Sequence, residues 1–186
     1  MPLELITPPA VEPVTLDEAR THLKVDTPDD DALITSLIAA ARARAEWHTG
    51  RAFVTQSWKL WLDGWPCTGI IEIPLPPLQS VASVTAYAQD DSATVLDAAT
   101  CQVDTASSPA RLTLKPNTSP PVNLRRINAV AIAFTAGYGD ASSVPAPVCQ
   151  AILAMVASLY TNRGDEPAET PQEALALLAP YRVVKL

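Results

Sequence analysis

Apolar residues along positions 27–51 recur at intervals of three and four, the spacing that places them on one face of an α-helix. Both ends of this stretch carry residues that favour helix termini: Thr27 at the N-cap, Pro28 at the first helical position and Gly50 just past the C-terminal end. The pattern predicts one helix of roughly 20 residues, or about 30 Å. Its predicted core face comprises Leu33, Ile34, Leu37, Ile38, Ala41 and Ala45.

Three shorter helices are predicted, one before the long helix and two after a long central region. Thr15 and Glu18 form a capping-box pattern in front of a helix of about ten residues. A broad apolar stripe begins near Pro147, and a second cap pattern at Thr170 precedes a helix that stops before Pro180. The two helical parts of the sequence are expected to share one core.

The central region has the period-two alternation of β-strands. In residues 54–62, Val54, Gln56, Trp58, Leu60 and Leu62 fall on one side. Turn signals every ~8–12 residues suggest a small antiparallel sheet or sandwich. The other predicted strands are Ile70–Ile73 and residues 81–88, 93–96, 100–104, 111–115 and 128–135.

The predicted fold class is therefore α+β, with a small α-helical core of about four helices and an antiparallel β insertion between helices 2 and 3. The helical core is expected over residues 14–52 and 145–180, and the insertion over residues 53–136, within a single domain over residues 14–180. Residues 1–13, with four prolines, are expected to form an extended arm. Residues 181–186 form a C-terminal tail.

Composition and net charge argue against several classes of function. The net charge of −7 argues against a protein that grips nucleic acid by neutralising phosphates. The three widely spaced cysteines lack metal-binding spacing and are expected to be reduced, buried thiols. No apolar run approaches the ~18 residues of a membrane span, so a soluble protein without a membrane partner is expected.

Candidate catalytic groups have simpler structural explanations. His22 and His48 fall at the ends of predicted helices, where the helix dipole favours them. Gly137 and Gly139 lack the third glycine of a nucleotide-binding loop and suit a strand exit with positive φ. Trp58, Trp61 and Trp65 suit a sugar-stacking platform, although core or interface anchors are commoner. We therefore predict no catalytic, metal-binding or cofactor-binding residue.

The chain resembles the head–tail connector (adaptor) family of long-tailed bacteriophages and phage-derived gene transfer agents in the order of six segments spread over residues 14–182. These are TLDEARTHLKV, DDALITSLIAAARARAEWHTGR, LPPLQSVASVTAY, FTAGYGD, LYTNRGD and APYR. The resemblance implies a structural protein without catalytic residues or cofactor, made in the host bacterial cytoplasm and located in the particle neck. There, about twelve copies would form a ring below the portal, extend the DNA channel and dock stopper and tail proteins.

Two sets of contact residues follow as hypotheses. A rigid helix would present a face to the next copy in the ring, with charged groups pairing across the contact, although an internal Arg42–Glu46 pair at i,i+4 is an equal alternative. By resemblance, the tail would bind the portal, so its deletion is expected to abolish attachment while leaving the fold intact. The predicted subunit-interface residues are Arg42, Arg44, Glu46 and Arg51. The predicted portal-contact residues are Tyr181, Arg182, Val183, Val184, Lys185 and Leu186.

Other functions stay open at this point. Another neck component, such as a stopper or tail-terminator protein, is one alternative, although the four helices speak against a mainly β protein. A sugar-binding module or an enzyme built on the β insertion is another, and would need polar side chains converging in a cleft.

In a ring, net acidic subunits would line the passage with charge that repels DNA, so that the genome passes without specific binding.

Overall fold

The computed structural model describes residues 2–162 and 169–183. The chain divides into two compact units, which are described separately. The β unit comprises Met1–Pro9 and Thr55–Gly137, and the helical unit comprises Ala10–Val54 and Tyr138–Leu186. The predicted boundaries of arm, domain and tail stay predictions, but the α+β fold class with four α-helices and antiparallel sheets is confirmed for the described residues.

The helical unit is organised around the long helix predicted from residues 27–51. Its α-helices are α1 (Leu16–Leu23), α2 (Asp31–Thr49), α3 (Ala146–Asn162) and α4 (Gln172–Leu178). Short 3-10 turns span Pro28–Asp30, Ala141–Ser143 and Ala179–Tyr181. The core is built mainly from α2 and α3, whose buried side chains include Ile34, Ile38, Ala41, Ala45, Val148, Ile152, Met155 and Val156.

One residue of the predicted core face of α2 points elsewhere. Leu33 is 38% exposed, whereas its neighbour Ile34 is fully buried. The prediction was wrong here because apolar residues occupy more of the helix circumference than the core covers. α2 therefore has apolar residues outside its buried face.

Helix caps were predicted with mixed success. At α1 the capping box is confirmed: the Thr15 N–H donates to Glu18 Oε2 at 2.8 Å, and the Glu18 N–H donates to Thr15 Oγ1 at 3.2 Å. The pKa of the Glu18 carboxyl lies below its usual value because it accepts first the Thr15 backbone N–H and then the Thr15 hydroxyl. The Gly50 C-cap of α2 is also confirmed, with φ of 68°.

The other two predicted caps are wrong, and proline explains both. The 3-10 turn that starts at Pro28 comes between Thr27 and α2, and the Thr27 side chain makes no capping hydrogen bond. At α4 the extended Pro171, with ψ of 138°, occupies the N-cap position, again without a side-chain cap. Thr170 is therefore one residue too early to cap this helix.

The β unit contains two antiparallel sheets. Its strands are β1 (Leu3–Thr7), β2 (Gln56–Leu62), β3 (Ile70–Ile73), β4 (Leu78–Tyr87), β5 (Ala93–Val95), β6 (Cys101–Asp104), β7 (Ala110–Leu114) and β8 (Val130–Ala136). The larger sheet has the order β1-β2-β8-β4-β5, and the smaller has the order β3-β7-β6. β2 buries Gln56, Leu60 and Leu62, as its alternation predicts, while Trp58 is half-buried.

Part of the predicted N-terminal arm forms an edge strand. Residues 1–13 were expected to form an arm, but Leu3–Thr7 pairs with β2 as an edge strand, with Leu3 opposite Leu60 and Leu5 opposite Trp58. The other side of β2 is occupied by β8, so β1 satisfies the backbone groups along the edge that would remain open. Pro8 and Pro9 end the strand because proline cannot donate to the ladder.

Candidate functional site

The predicted charged interface residues lie around the C-terminal half of α2. Arg42 Nε donates to Glu12 Oε2 at 2.7 Å, and Arg42 Nη1 donates to Glu46 Oε2 at 2.6 Å. The second oxygen of Glu46 accepts the backbone N–H of Phe53 at 2.8 Å. The side chains of Arg42 and Glu46 are only 13% and 12% exposed. Glu46 therefore links α2 to the chain segment that leaves it.

Burial and charge act in opposite directions on Arg42. Removal of the guanidinium from water acts to lower its pKa, but the hydrogen bonds and charges of Glu12 and Glu46 together outweigh this effect and raise it. The cation is thus stabilised inside the helical unit. The internal i,i+4 pair, one of the two sequence-based alternatives, is present, and a role of these two residues between subunits stays a prediction.

Arg51 connects the end of α2 to the C-terminal segment. Its Nε donates to the backbone oxygen of Tyr181. The N–H of Val183 donates to the oxygen of Thr49 at 2.8 Å. A Cβ on Gly50 would lie 3.6 Å from the Cβ of Val183, so the two segments are in contact. Nearby, burial raises the pKa of the Tyr138 phenol, and the charge of Arg51 opposes that rise.

These contacts join the described half of the predicted tail to the helical unit. Tyr181 packs against the core of the helical unit, and Val183 is hydrogen-bonded to α2, so Tyr181, Arg182 and Val183 continue the folded unit. Val184, Lys185 and Leu186 lie outside the described residues. Deletion of the whole tail would consequently remove structural contacts, and it no longer tests portal attachment alone.

Arg44 is placed differently from Arg42. Two residues along an α-helix correspond to a turn of about 200°, so Arg44 lies nearly opposite Arg42 on the circumference of α2. Arg44 is partly exposed there. Of the four predicted interface residues, the structure brings Arg42 and Glu46 together, joins Arg51 to the C-terminal segment and places Arg44 on another face.

Sequence reasoning did not single out Trp47, an exposed aromatic side chain of α2. Trp47 is 84% exposed, a high value for an indole. It ends a stripe of exposed residues at intervals of three and four, which we call the Trp47 face. The Trp47 face consists of Leu33, Ser36, Ala40, Ala43 and Trp47. Helical periodicity was the available signal, because these positions form a second stripe beside the one assigned to the core.

The described residues offer little for catalysis. No group of three or more His, Cys, Asp or Glu side chains among them is arranged to hold a metal ion. An open groove in the β unit is bordered by Trp65, Pro66 and Cys67, and the Cys67 thiol is the single ionisable group among its described lining residues. Cys67 is exposed and Cys101 and Cys149 are partly exposed, so the expected burial of all three thiols was wrong.

The glycines and histidines considered in the sequence lie where their local patterns predicted. Gly137 and Gly139 have φ of 124° and 127°, which agrees with the predicted strand exit. His22 and His48 lie in the last turns of α1 and α2, as expected. Within the part of the chain that the structure describes, none of the helices combines the length and apolar character needed to cross a membrane.

Comparison with known proteins decides the family. A family model described as the phage gp6-like head-tail connector protein matches residues 13–109, which is more than half of the chain. The chain belongs to this family. The match spans α1, α2 and most strands of the β unit, and it confirms the resemblance inferred from the sequence.

Solved structures match the chain over its full length. A chain from a structure described as "Neck of empty GTA particle computed with C6 symmetry" superimposes with a TM-score of 0.86 at 25% identity, covering 100% of this chain and 97% of that one. A chain from "Neck of native GTA particle computed with C12 symmetry" gives 0.82 at 26% identity, with the same coverage. GTA denotes gene transfer agent. Among curated proteins, no sequence matches the chain.

Proposed function

We propose that this connector-family protein forms a ring in the neck of a phage or gene-transfer-agent particle, directly below the portal. In this position it extends the DNA channel and provides the docking surface for stopper and tail proteins. The observation that carries the proposal is the full-length structural match, with a TM-score of 0.86 at 25% identity, to a chain of a gene-transfer-agent neck. The C12 symmetry of a related neck supports about twelve copies.

The charge of the chain suits a channel component. Each copy has a net charge of −7, so a ring of copies would repel the phosphates of DNA and let the genome pass without specific binding. No catalytic step and no cofactor belong to this role. A neck structure in which Lys and Arg side chains of this chain dominate the lumen would contradict this part of the proposal.

The proposed portal contact is confined to part of the predicted tail. Tyr181–Val183 is tied to the end of α2 by the Val183–Thr49 hydrogen bond, and to Arg51, just beyond α2, by the Arg51–Tyr181 hydrogen bond. We therefore assign the portal contact mainly to residues 184–186, because binding there would leave the described hydrogen bonds of Tyr181–Val183 in place. Arg44 and Arg51 remain proposed contributors to the contact between copies, with Arg42 and Glu46 acting mainly within one copy.

The proposal is tested by omitting the protein from particle assembly. Without it, DNA-containing heads are expected to accumulate without attached tails, as counted by electron microscopy, and supply of the chain in trans is expected to restore joining. Density for the chain is expected between portal and tail in the neck of complete particles. Normal particles without the chain, or density for it only in the capsid or tail tube, would contradict the proposal and favour another neck or tail role.

Removal of residues 184–186 tests the portal contact. We expect at least a ten-fold loss of binding to isolated portal rings, with the free energy of unfolding changed by less than about 0.5 kcal/mol, because the deletion spares the described hydrogen bonds. Removal of residues 181–186 is expected to cost a further ~1–2 kcal/mol of stability, because the hydrogen bonds that join this segment to Thr49, Arg51 and Ala179 are lost together with the Tyr181 contacts.

Sedimentation with portal rings measures the binding, and urea unfolding measures the stability. Replacement of residues 184–186 by Gly-Ser-Gly is the matched control, because it keeps the chain length and removes the side chains. Normal docking of the shorter deletion would show that the portal contact lies elsewhere.

A further inference from the structure

The Trp47 face differs from an ordinary exposed helix surface in carrying no charge. Between Asp31 and Arg42, α2 has ten consecutive uncharged residues, and all five members of the Trp47 face are uncharged. The face extends over 14 residue steps, or about 21 Å along the helix. Leu33 is 38% exposed at one end and Trp47 is 84% exposed at the other. Solvent-facing helix surfaces usually carry charged side chains, so this face has the character of a contact surface.

The shape of the face suits close packing. Ser36, Ala40 and Ala43 are small, so the backbone of α2 can approach another surface closely between the two larger end residues. The alternating spacing of three and four keeps all five residues on one side of the helix, as in the seam of packed helices. Tryptophan is one of the residue types enriched at the energetic hot spots of protein contacts, which are surrounded by contacts that contribute little energy but exclude water.

Charge indicates which partner can cover this face. Copies of a chain with a net charge of −7 repel each other, so contact between copies is least costly where neither carboxylates nor other charges must be desolvated. The alternative contact through Arg42 and Glu46 is less favourable, because each would have to leave a partner at 2.6–2.8 Å. The uncharged face has no such cost.

We propose that the Trp47 face packs against a second copy of this chain in the ring. The inference rests on the proposed ring. A closed ring of identical subunits uses two different surfaces of each copy, so Trp47 of one copy inserts into another surface of the next rather than against its own equivalent. The contact predicted at Arg42 and Glu46 is thereby replaced by an apolar one anchored by Trp47, and Arg44 lies beside it.

Photo-crosslinking in assembled particles identifies what covers the face. p-Benzoylphenylalanine in place of Trp47 keeps an aromatic side chain at the site, and the same group in place of Thr35, which is exposed on α2 outside the face, serves as the control. On irradiation, the Trp47 position is expected to give products containing only copies of this chain, in at least ten-fold higher yield than the Thr35 position. Mass spectrometry of the products reads out both partners.

Three results overturn the inference while leaving the ring proposal intact: crosslinks from position 47 to a different polypeptide, crosslinks to lipid, or no product above the Thr35 control in particles that contain the chain. Absence of the chain from particles before irradiation is a separate result that rejects the proposed function itself. The two failures are therefore distinguishable in the same preparation.

A pair of substitutions provides an independent test. Trp47→Ala and Ala43→Glu are each expected to reduce incorporation of the chain into particles at least ten-fold, the first by removing the anchor and the second by placing a charge in the contact. Val122→Ala, at a residue that is 75% exposed in the β unit, is the control and is expected to stay within two-fold of the unchanged chain. Normal incorporation of both face variants would overturn the inference.

Discussion

Glu46→Ala is expected to lower the free energy of unfolding of the helical unit by about 2–3 kcal/mol. The substitution removes the carboxylate 2.6 Å from Arg42 Nη1 and leaves the backbone N–H of Phe53 without its acceptor. The loss stays below that of a completely isolated buried charge, because Glu12 still contacts the Arg42 guanidinium at 2.7 Å. Urea unfolding followed by the helical circular dichroism signal measures the change.

Glu46→Gln separates hydrogen bonding from charge. Glutamine retains an oxygen for the Phe53 N–H but cannot neutralise Arg42, so about half of the loss is expected, or ~1–1.5 kcal/mol. Glu173→Ala is the matched control, since Glu173 is exposed in the first turn of α4 and its removal is expected to cost less than about 1 kcal/mol. If Glu46→Ala matched this control in stability while ring incorporation failed, Glu46 would belong to the subunit contact predicted from the sequence.

Local signals were sufficient for much of the fold because they depend on residues close in sequence. The capping box at Thr15 joins residues three apart. Gly50 ends α2 by adopting a positive φ, which depends on that residue alone. The alternation along β2 likewise depends on consecutive residues. Predictions of this kind failed at Thr27 and Thr170, where the adjacent proline changed how the helix starts.

Long-range partners could not be predicted in the same way. Glu12 is 30 residues from Arg42 and lies in a segment that was expected to form an arm, so nothing local linked the two. Leu3–Thr7 became a strand because β2 had an open edge, which is a property of the assembled sheet. Arg51 and Tyr181 are 130 residues apart in the sequence. Because they are hydrogen-bonded, part of the expected tail belongs to the folded unit.

The candidate interface was likewise only partly predictable from the sequence. Sequence reasoning predicted α2 as the interface helix and weighted its charged residues, because charges on a helix surface are conspicuous in a sequence. In the folded helix Arg42 and Glu46 pair with each other, whereas the Trp47 face is exposed and uncharged. Apolar periodicity contained this information, but it could not show which of two adjacent stripes the core would bury.

Phe53→Ala is expected to have the largest effect on stability, about 3–5 kcal/mol. Phe53 is among the largest fully buried side chains, at 0% exposed, and belongs to the core cluster formed with α2 and α3. Its truncation would leave a cavity in this core, and such cavities are filled only in part by relaxation of the surrounding structure. Because domains are stabilised by only about 5–15 kcal/mol, the variant is expected to be partly unfolded in mild urea. The helical circular dichroism signal during a urea titration measures this.

Two controls show whether burial, rather than aromatic character, determines the effect. Phe53→Leu keeps most of the apolar volume and is expected to cost about 1–2 kcal/mol. Trp47→Ala removes a larger aromatic side chain, yet it is expected to change stability by less than about 0.5 kcal/mol, because Trp47 is 84% exposed in the single chain. Equal destabilisation by Trp47→Ala and Phe53→Ala would mean that the Trp47 face is covered within one copy, and it would remove the basis for assigning that face to a neighbour.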